Sequence, residues 1–207
     1  MSYHLRMREV VKDMSKLKCY IELELRDKGR LIQKRKFASK TYVKQGLMCI
    51  QMLMSQRSTI SLTDVSGTPR TNFFTDDGTN YRANGAYGDL TKGIVIGTSD
   101  TPYAYEQYKL QNVINHGSSG GQMLYGVQTI DAPQLITGGY RLVLSRVFTN
   151  SSGASITVKE IGLYCMFYAA AGPNYFTIMQ AREVITPTAV ANGQSLTVRY
   201  IFTVSST

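Results

Sequence analysis

The chain has 207 residues, 43% of them hydrophobic, enough for one ordinary domain, alone or with an extension, and too many for wholesale disorder. Its net charge of +9 is one-sided: residues 1–57 hold 14 Lys/Arg against 5 Asp/Glu, whereas residues 58–207 hold 9 of each. No stretch has the roughly 18 uninterrupted apolar residues of a membrane span, and Cys19, Cys49 and Cys165 have neither disulfide-framework nor zinc-site spacing.

A neutral body with a basic N-terminal section suggests an arm that meets nucleic acid, an acidic neighbouring subunit or a membrane surface; the alternative is a solvated basic face. Met1 to Cys19 is charged throughout and lacks the apolar core of a signal peptide, so the protein is expected to be made in the cytoplasm, with thiols buried or half-buried in a reducing compartment. The sequon Asn150-Ser151-Ser152 is then a chance match.

From Tyr3 to Leu17, apolar residues at Tyr3, Met7, Val10, Val11, Met14 and Leu17 keep to one side of a helix, with Arg6, Lys12 and Lys16 elsewhere. Such a helix is expected to dock on its own protein body; a membrane surface is the other reading. Ile21, Leu23 and Leu25 then alternate with Glu22, Glu24 and Arg26, the period of a half-exposed strand. Asp27-Lys28-Gly29-Arg30 reads as a turn, and a strand returns from Leu31 to about Phe37. With Lys28-Gly29 as a two-residue loop, Leu25 should face Ile32, and Glu22 should face Arg35. Thr41 to Ser55 reads as a helix with Ser39 or Thr41 as N-cap; Val43, Leu47, Ile50 and Met54 form its stripe, and Met48, Met52 and Met54 suit adaptable packing.

Residues 59–92 are loop-like, with turns at Ser66-Gly67-Thr68-Pro69, Asp76-Asp77-Gly78 and Asn84-Gly85 and aromatic residues Phe73, Phe74, Tyr81 and Tyr87 between them. Such an excursion either packs over a sheet or forms a contact surface. Further on, strands are expected at Gly93–Ile96, Met123–Ile130, Tyr140–Phe148 (broken by Arg146), Ile156–Phe167, Phe176–Val184 and Leu196–Val204. The apolar phase slips at Lys159-Glu160, as at a β-bulge. The reading is mainly β: an antiparallel β-sandwich or jelly roll over residues 59–207, preceded by a basic helix–hairpin–helix section over residues 1–58.

Chemistry-bearing motifs are few. Gly117-Ser118-Ser119-Gly120-Gly121 fits G-x-S-x-G, yet a nucleophile elbow needs a later His, and both His4 and His116 precede Ser119. No metal-ligand spacing and no Walker loop occur, and nothing in the sequence pairs Asp131, Glu160 and Glu183. No enzyme activity and no cofactor are therefore expected. Lys28, Arg30, Lys34, Arg35, Lys36, Lys40 and Lys44 cluster in sequence and are the candidates for an interface or for phosphate contacts, without any recognised nucleic-acid signature.

Three stretches carry a resemblance: Gly93-Ile94-Val95-Ile96-Gly97-Thr98-Ser99-Asp100-Thr101-Pro102 with Tyr108-Lys109-Leu110; Phe148 to Gly153 leading into Ile156 to Tyr164; and Arg182-Glu183-Val184 through Asn192 to Tyr200. Over roughly residues 93–204 this series resembles β-sandwich structural proteins of tailed bacteriophages and related prokaryotic viruses, found in capsids, tails, baseplates and fibres. The resemblance implies a virion location, no catalytic residues, and association with copies of itself and with other virion proteins. A nucleic-acid-binding accessory protein using the basic section is the alternative. A carbohydrate- or receptor-binding fibre module stacking sugars on Phe73, Phe74, Tyr81 and Tyr87 is a third reading.

Overall fold

A computed structural model describes residues 16–39, 41–55, 60–71, 81–169 and 174–205. The expected first helix, Lys40, Phe73, Phe74 and the Asp76-Asp77-Gly78 turn lie outside these residues. Among those described, the protein is mainly β with antiparallel sheets and one helix.

The larger sheet has seven strands in the order β2-β1-β13-β10-β7, with β8 and β9 also paired to β10. These are β1 (Lys16–Asp27), β2 (Arg30–Ala38), β7 (Leu124–Tyr125), β8 (Thr129–Ile130), β9 (Gln134–Ile136), β10 (Gly139–Thr149) and β13 (Gln194–Ser205). The smaller sheet joins β12 (Asn174–Val190) to β11 (Ile156–Ala169), which also pairs β5 (Tyr81–Arg82) and β6 (Gly93–Gly97). A short pair, β3 (Leu62–Thr63) with β4 (Pro69–Arg70), stands apart.

The hairpin expected within a separate N-terminal section is instead part of the larger sheet. All twelve residues of β1 pair with β13, from Lys16 opposite Ser205 to Asp27 opposite Gln194. A boundary at 58/59 therefore separates strands of one sheet. The period-2 alternation explains the core. Leu25, Leu196 and Phe148 form one cross-strand row, and Ile21, Tyr200 and Leu144 another; every one of these side chains is buried. Ile161, Leu163 and Ile185 of the smaller sheet belong to the same core.

The turn forms at Lys28-Gly29, both with positive φ (44° and 84°), as a two-residue type I′ loop requires. The register beyond it differs from the expected one. A bulge between Leu25 and Arg26 places Leu25 opposite Gln33 and Glu22 opposite Lys36. The adjacent pair Leu31-Ile32 offers an apolar residue in either phase, so hydrophobicity alone does not select one. The Met123–Ile130 strand is also interrupted, leaving only β7 and β8. Between them, Gly126 and Gln128 donate their backbone N–H groups to the Val147 and Gly85 carbonyls, and the Gln128 side chain accepts from Ile94 N–H.

The helix α1 (Lys44–Ser55) packs on β12, but not through its Leu/Ile stripe. Leu47 and Ile50 are exposed, while Gln45, Gly46 and Cys49 are buried. A Cβ on Gly46 would lie 2.4 Å from the Gln180 carbonyl oxygen, so glycine permits the close approach of helix to strand. Ser39 and Thr41, the expected N-caps, instead donate their hydroxyls to Glu183.

Three buried charged side chains, Arg146 and the Glu160–Arg182 pair, fasten loops to the sheets. Arg146 does not break β10. It points into the core and donates to the carbonyls of Gly126 (2.8 Å), Lys92 (3.3 Å), Ile94 (3.0 Å) and Ala86 (2.8 Å). At the expected bulge, which falls between Val158 and Glu160, Glu160 meets Arg182 at 2.7 Å, both side chains fully buried. Glu160 also accepts from the backbone N–H groups of Gln111 and Asn112, and Arg182 donates to Gln107 Oε1 and the Thr101 carbonyl. The segment from Thr101 to Asn112 is thereby strapped across β11. Arg182→Leu strands a buried carboxylate and should cost about 3–5 kcal/mol in urea unfolding, with Glu160→Gln/Arg182→Met costing clearly less. Equal losses in the two variants would contradict this account of the pair.

Candidate assembly surface

Strands β2 and β12 are outer strands of their sheets on the same flank of the molecule. Arg35 of β2 crosses between them, donating to the Thr186 carbonyl at 3.1 Å and to the Thr188 hydroxyl. A groove of about 380 Å³ opens there, lined by Arg35, Lys36 and Phe37 on one side and Val184, Ile185 and Thr186 on the other. Among the described residues, the outward backbone edge of β2 has no strand partner. The outer edge of β12 is covered at Gln180–Arg182, where Val43 N–H donates to Gln180 and Arg182 N–H to Thr41; beyond it, the outer edge of residues 183–190 faces no strand among the described residues. Pro187 fits such an edge, since it has no N–H to offer a ladder.

The basic candidates do not form one patch. Lys34 and Lys36 occupy the outer face of the sheet, whereas Arg35 lies opposite Leu23, on the inner-facing side of β2. Lys34 binds Glu22 (3.1 Å) and Glu24 (3.0 Å), and the Lys36 ammonium sits 4.8 Å from the Tyr20 ring centre. Lys44, at the start of α1, pairs with Glu106 at 3.2 Å, both exposed. Lys28 and Arg30 lie exposed at the hairpin tip, with no ion pair to any described residue. A phosphate track needs free, co-facial cations, and most of these are engaged or point apart.

On the outer face, Glu22 and Glu24 are the hub of a network. Arg199 reaches them at 3.0 and 3.2 Å, and Arg26 meets Glu24 at 3.2 Å. Glu24 is buried, yet the hydrogen bond from Lys34, outweighing the burial that would raise it, and the added bonds from Arg26 and Arg199 hold its carboxyl at about 2.

The remaining candidates are scattered. Tyr81 and Tyr87 are both exposed, but Tyr81 packs edge-on against Phe167 and Tyr87 against His116. His116 Nδ1 accepts the Tyr125 backbone N–H at 3.0 Å, and Ser119 lies in an exposed turn held by the Gln122 side chain. That ring nitrogen is occupied by the backbone and serves no nucleophile. Of the three carboxylates, Glu160 binds Arg182, Glu183 takes the Ser39 and Thr41 hydroxyls, and Asp131 is exposed; they do not converge. Cys49 and Cys165 are buried, Cys19 half-buried, and all are free; burial raises their thiols to about 12, 12 and 11. Asn150 is buried and donates to the Ala154 and Val190 carbonyls, which leaves no room for a glycan. Among the described residues, no helix is long and apolar enough to cross a membrane.

Sequence reasoning missed the β12 wall of the groove and the loop-fastening pair Arg146 and Arg182. The signal for Arg146 was a charge within an apolar alternation; Arg182, flanked by Gln180 and Glu183, carries no such mark. The β12 wall has no comparable local mark, because it depends on which strands end the sheets. No protein-family model matches the chain, and comparison with curated proteins and with solved structures likewise finds no match.

The Glu24 network carries a pH signature. The folded carboxyl titrates at about 2 against an ordinary value of 4.5. Its contribution is whole above the ordinary value and is lost as pH falls through the folded one. Glu24→Gln should cost about 1 kcal/mol at neutral pH, since its partners Lys34 and Arg26 are open to solvent. In urea titrations that difference should shrink as the pH is lowered from about 5 to about 2. A difference constant with pH would show that the carboxylate's charge is not what stabilises the fold.

Proposed function

We propose that this chain is a structural subunit that acts by binding copies of itself and neighbouring proteins in a virus particle, without catalysis. On this reading the two antiparallel sheets form a jelly-roll-like β-sandwich. The observation that carries the assembly reading is the open flank, where the long outer strands β2 and β12 lie beside a groove with apolar walls at Phe37, Val184 and Ile185. An exposed strand edge is a template for a partner's strand. Leu31 and Ile32, both exposed on β2, add apolar surface along the same strand. The virion setting rests on the resemblance of residues 93–204 to phage structural proteins.

Charge shapes the contact. Antiparallel pairing of β2 with a second β2 brings two basic strands together, which is unfavourable. The edge of β12 at Val184–Val190 holds no charged residue, so β2 of one subunit beside β12 of the next avoids that repulsion. Such a contact is head-to-tail and closes a ring or extends a filament. The nucleic-acid alternative has less support, because the basic run divides between two faces and Lys34 is held by carboxylates.

Light scattering on the purified protein, at low and at high salt, tests the proposal. A mass of several subunits that survives high salt, and falls to one subunit in Leu31→Asp/Ile32→Asp, is the expected result. A monomer under both conditions overturns self-association. A particle that forms only with added DNA and dissolves in salt overturns the proposal in favour of nucleic-acid binding.

A further inference from the structure

Arg35 is a cation without an anion. Its guanidinium is half-buried in the groove, makes no ion pair with a described residue, and donates from Nη2 to two neutral oxygens, the Thr186 carbonyl and the Thr188 hydroxyl. The Thr186 carbonyl lies in a bulge that sets Ile185 to Pro187 of β12 against the single Lys159 of β11. Phe37, Val184 and Ile185 make the groove walls apolar, and no acidic residue lines it. A guanidinium in such surroundings binds a carboxylate more strongly than a carbonyl or a hydroxyl, because the bonds are charge-assisted and two can form in parallel.

Strand phase limits what that carboxylate can belong to. Arg35 lies opposite Leu23 and Phe37 opposite Ile21, both buried, so Arg35 and Phe37 share the inner-facing side of β2. A strand added along the outward edge of β2 presents alternate residues to that side, so two of its side chains, spaced two residues apart, meet Arg35 and Phe37. Beyond the groove β2 extends back to Arg30 and β12 on to Val190. An added segment therefore runs through the site, and its carboxylate is that of a side chain and not of a chain end. The open edge of this chain's own β12, Val184–Val190, holds no acidic residue, so a copy docked through it leaves Arg35 without a counter-charge.

We propose that the β2–β12 groove selects an extended segment of a second protein that carries an aspartate or glutamate two residues from a large apolar side chain, the carboxylate on Arg35 and the apolar group against Phe37 and Ile185. The inference rests on the assembly reading of this flank, and it names the partner that the flank favours over a further copy of the chain.

Fluorescence anisotropy with the full-length protein in dilute solution tests it. The probe is a labelled, end-blocked threonine peptide with one leucine and, two residues on, one glutamate. It should bind about tenfold more tightly than the same peptide with glutamine in place of the glutamate. It should likewise outbind a peptide of the same composition with leucine and glutamate adjacent, which puts the two on opposite faces of a strand. Arg35→Gln should abolish the preference for glutamate, whereas Arg30→Gln, an equal loss of charge at the exposed hairpin tip, should keep it. Equal binding of the three peptides, binding of none, or a preference that survives Arg35→Gln overturns the proposal. A salt-resistant oligomer together with any of those results defeats the partner inference alone and leaves the assembly reading standing.

Discussion

The twelve-residue pairing of β1 with β13 joins residues near the two ends of the sequence without a bulge, and much of the rest follows from it. It sets which faces of β1 and β13 meet the core, because a slip of one residue would turn Ile21, Leu23 and Leu25 outward and bring Glu22 and Glu24 in. The pairing also makes β2 an outer strand, since β1 then has both neighbours filled. The Glu22 and Glu24 carboxylates reinforce the register from the opposite face, where Arg199 of β13 and Lys34 of β2 both reach them.

Inside, the fold is held by charge as well as by apolar burial. Arg146 brings together carbonyls of residues 86, 92, 94 and 126, of which only Ile94 lies in a strand, β6. The Glu160–Arg182 pair does the same for residues 101–112, where Gly97 makes room: a Cβ there would lie 2.5 Å from a Glu160 oxygen. A buried ion pair is tolerable when its other hydrogen-bonding sites are filled, and backbone groups of the strapped segment together with the Gln107 side chain fill them. Irregular chain is thus organised around fixed charges, while the sheets keep their alternation.

Much of the sheet architecture was legible because period-2 alternation is a local property. Leu196 to Val204, the Lys28-Gly29 turn and the slip at Lys159-Glu160 all appear in the structure where the sequence places them. What escaped was non-local. Arg146 reads as an interruption until the carbonyls it collects are known. The Leu47 and Ile50 stripe reads as the packed face of α1 until Gly46 is seen against the Gln180 carbonyl. The basic residues were legible as a group, but not their division between two faces, which depends on strand phase. The groove could not be read at all, since it exists only because β2 and β12 end their sheets side by side.

These features converge on one view: a body whose interior is fastened by buried charges and whose β2–β12 flank has no further strand partner among the described residues, the flank proposed to bind a partner. Amide hydrogen exchange followed across a range of protein concentrations tests that view most directly. The account predicts that protection rises with concentration at residues 30–38 of β2 and at 183–190 of β12, while β13, already paired on both sides, stays unchanged. Protection independent of concentration along both strands, or a rise confined to other surfaces, would contradict it.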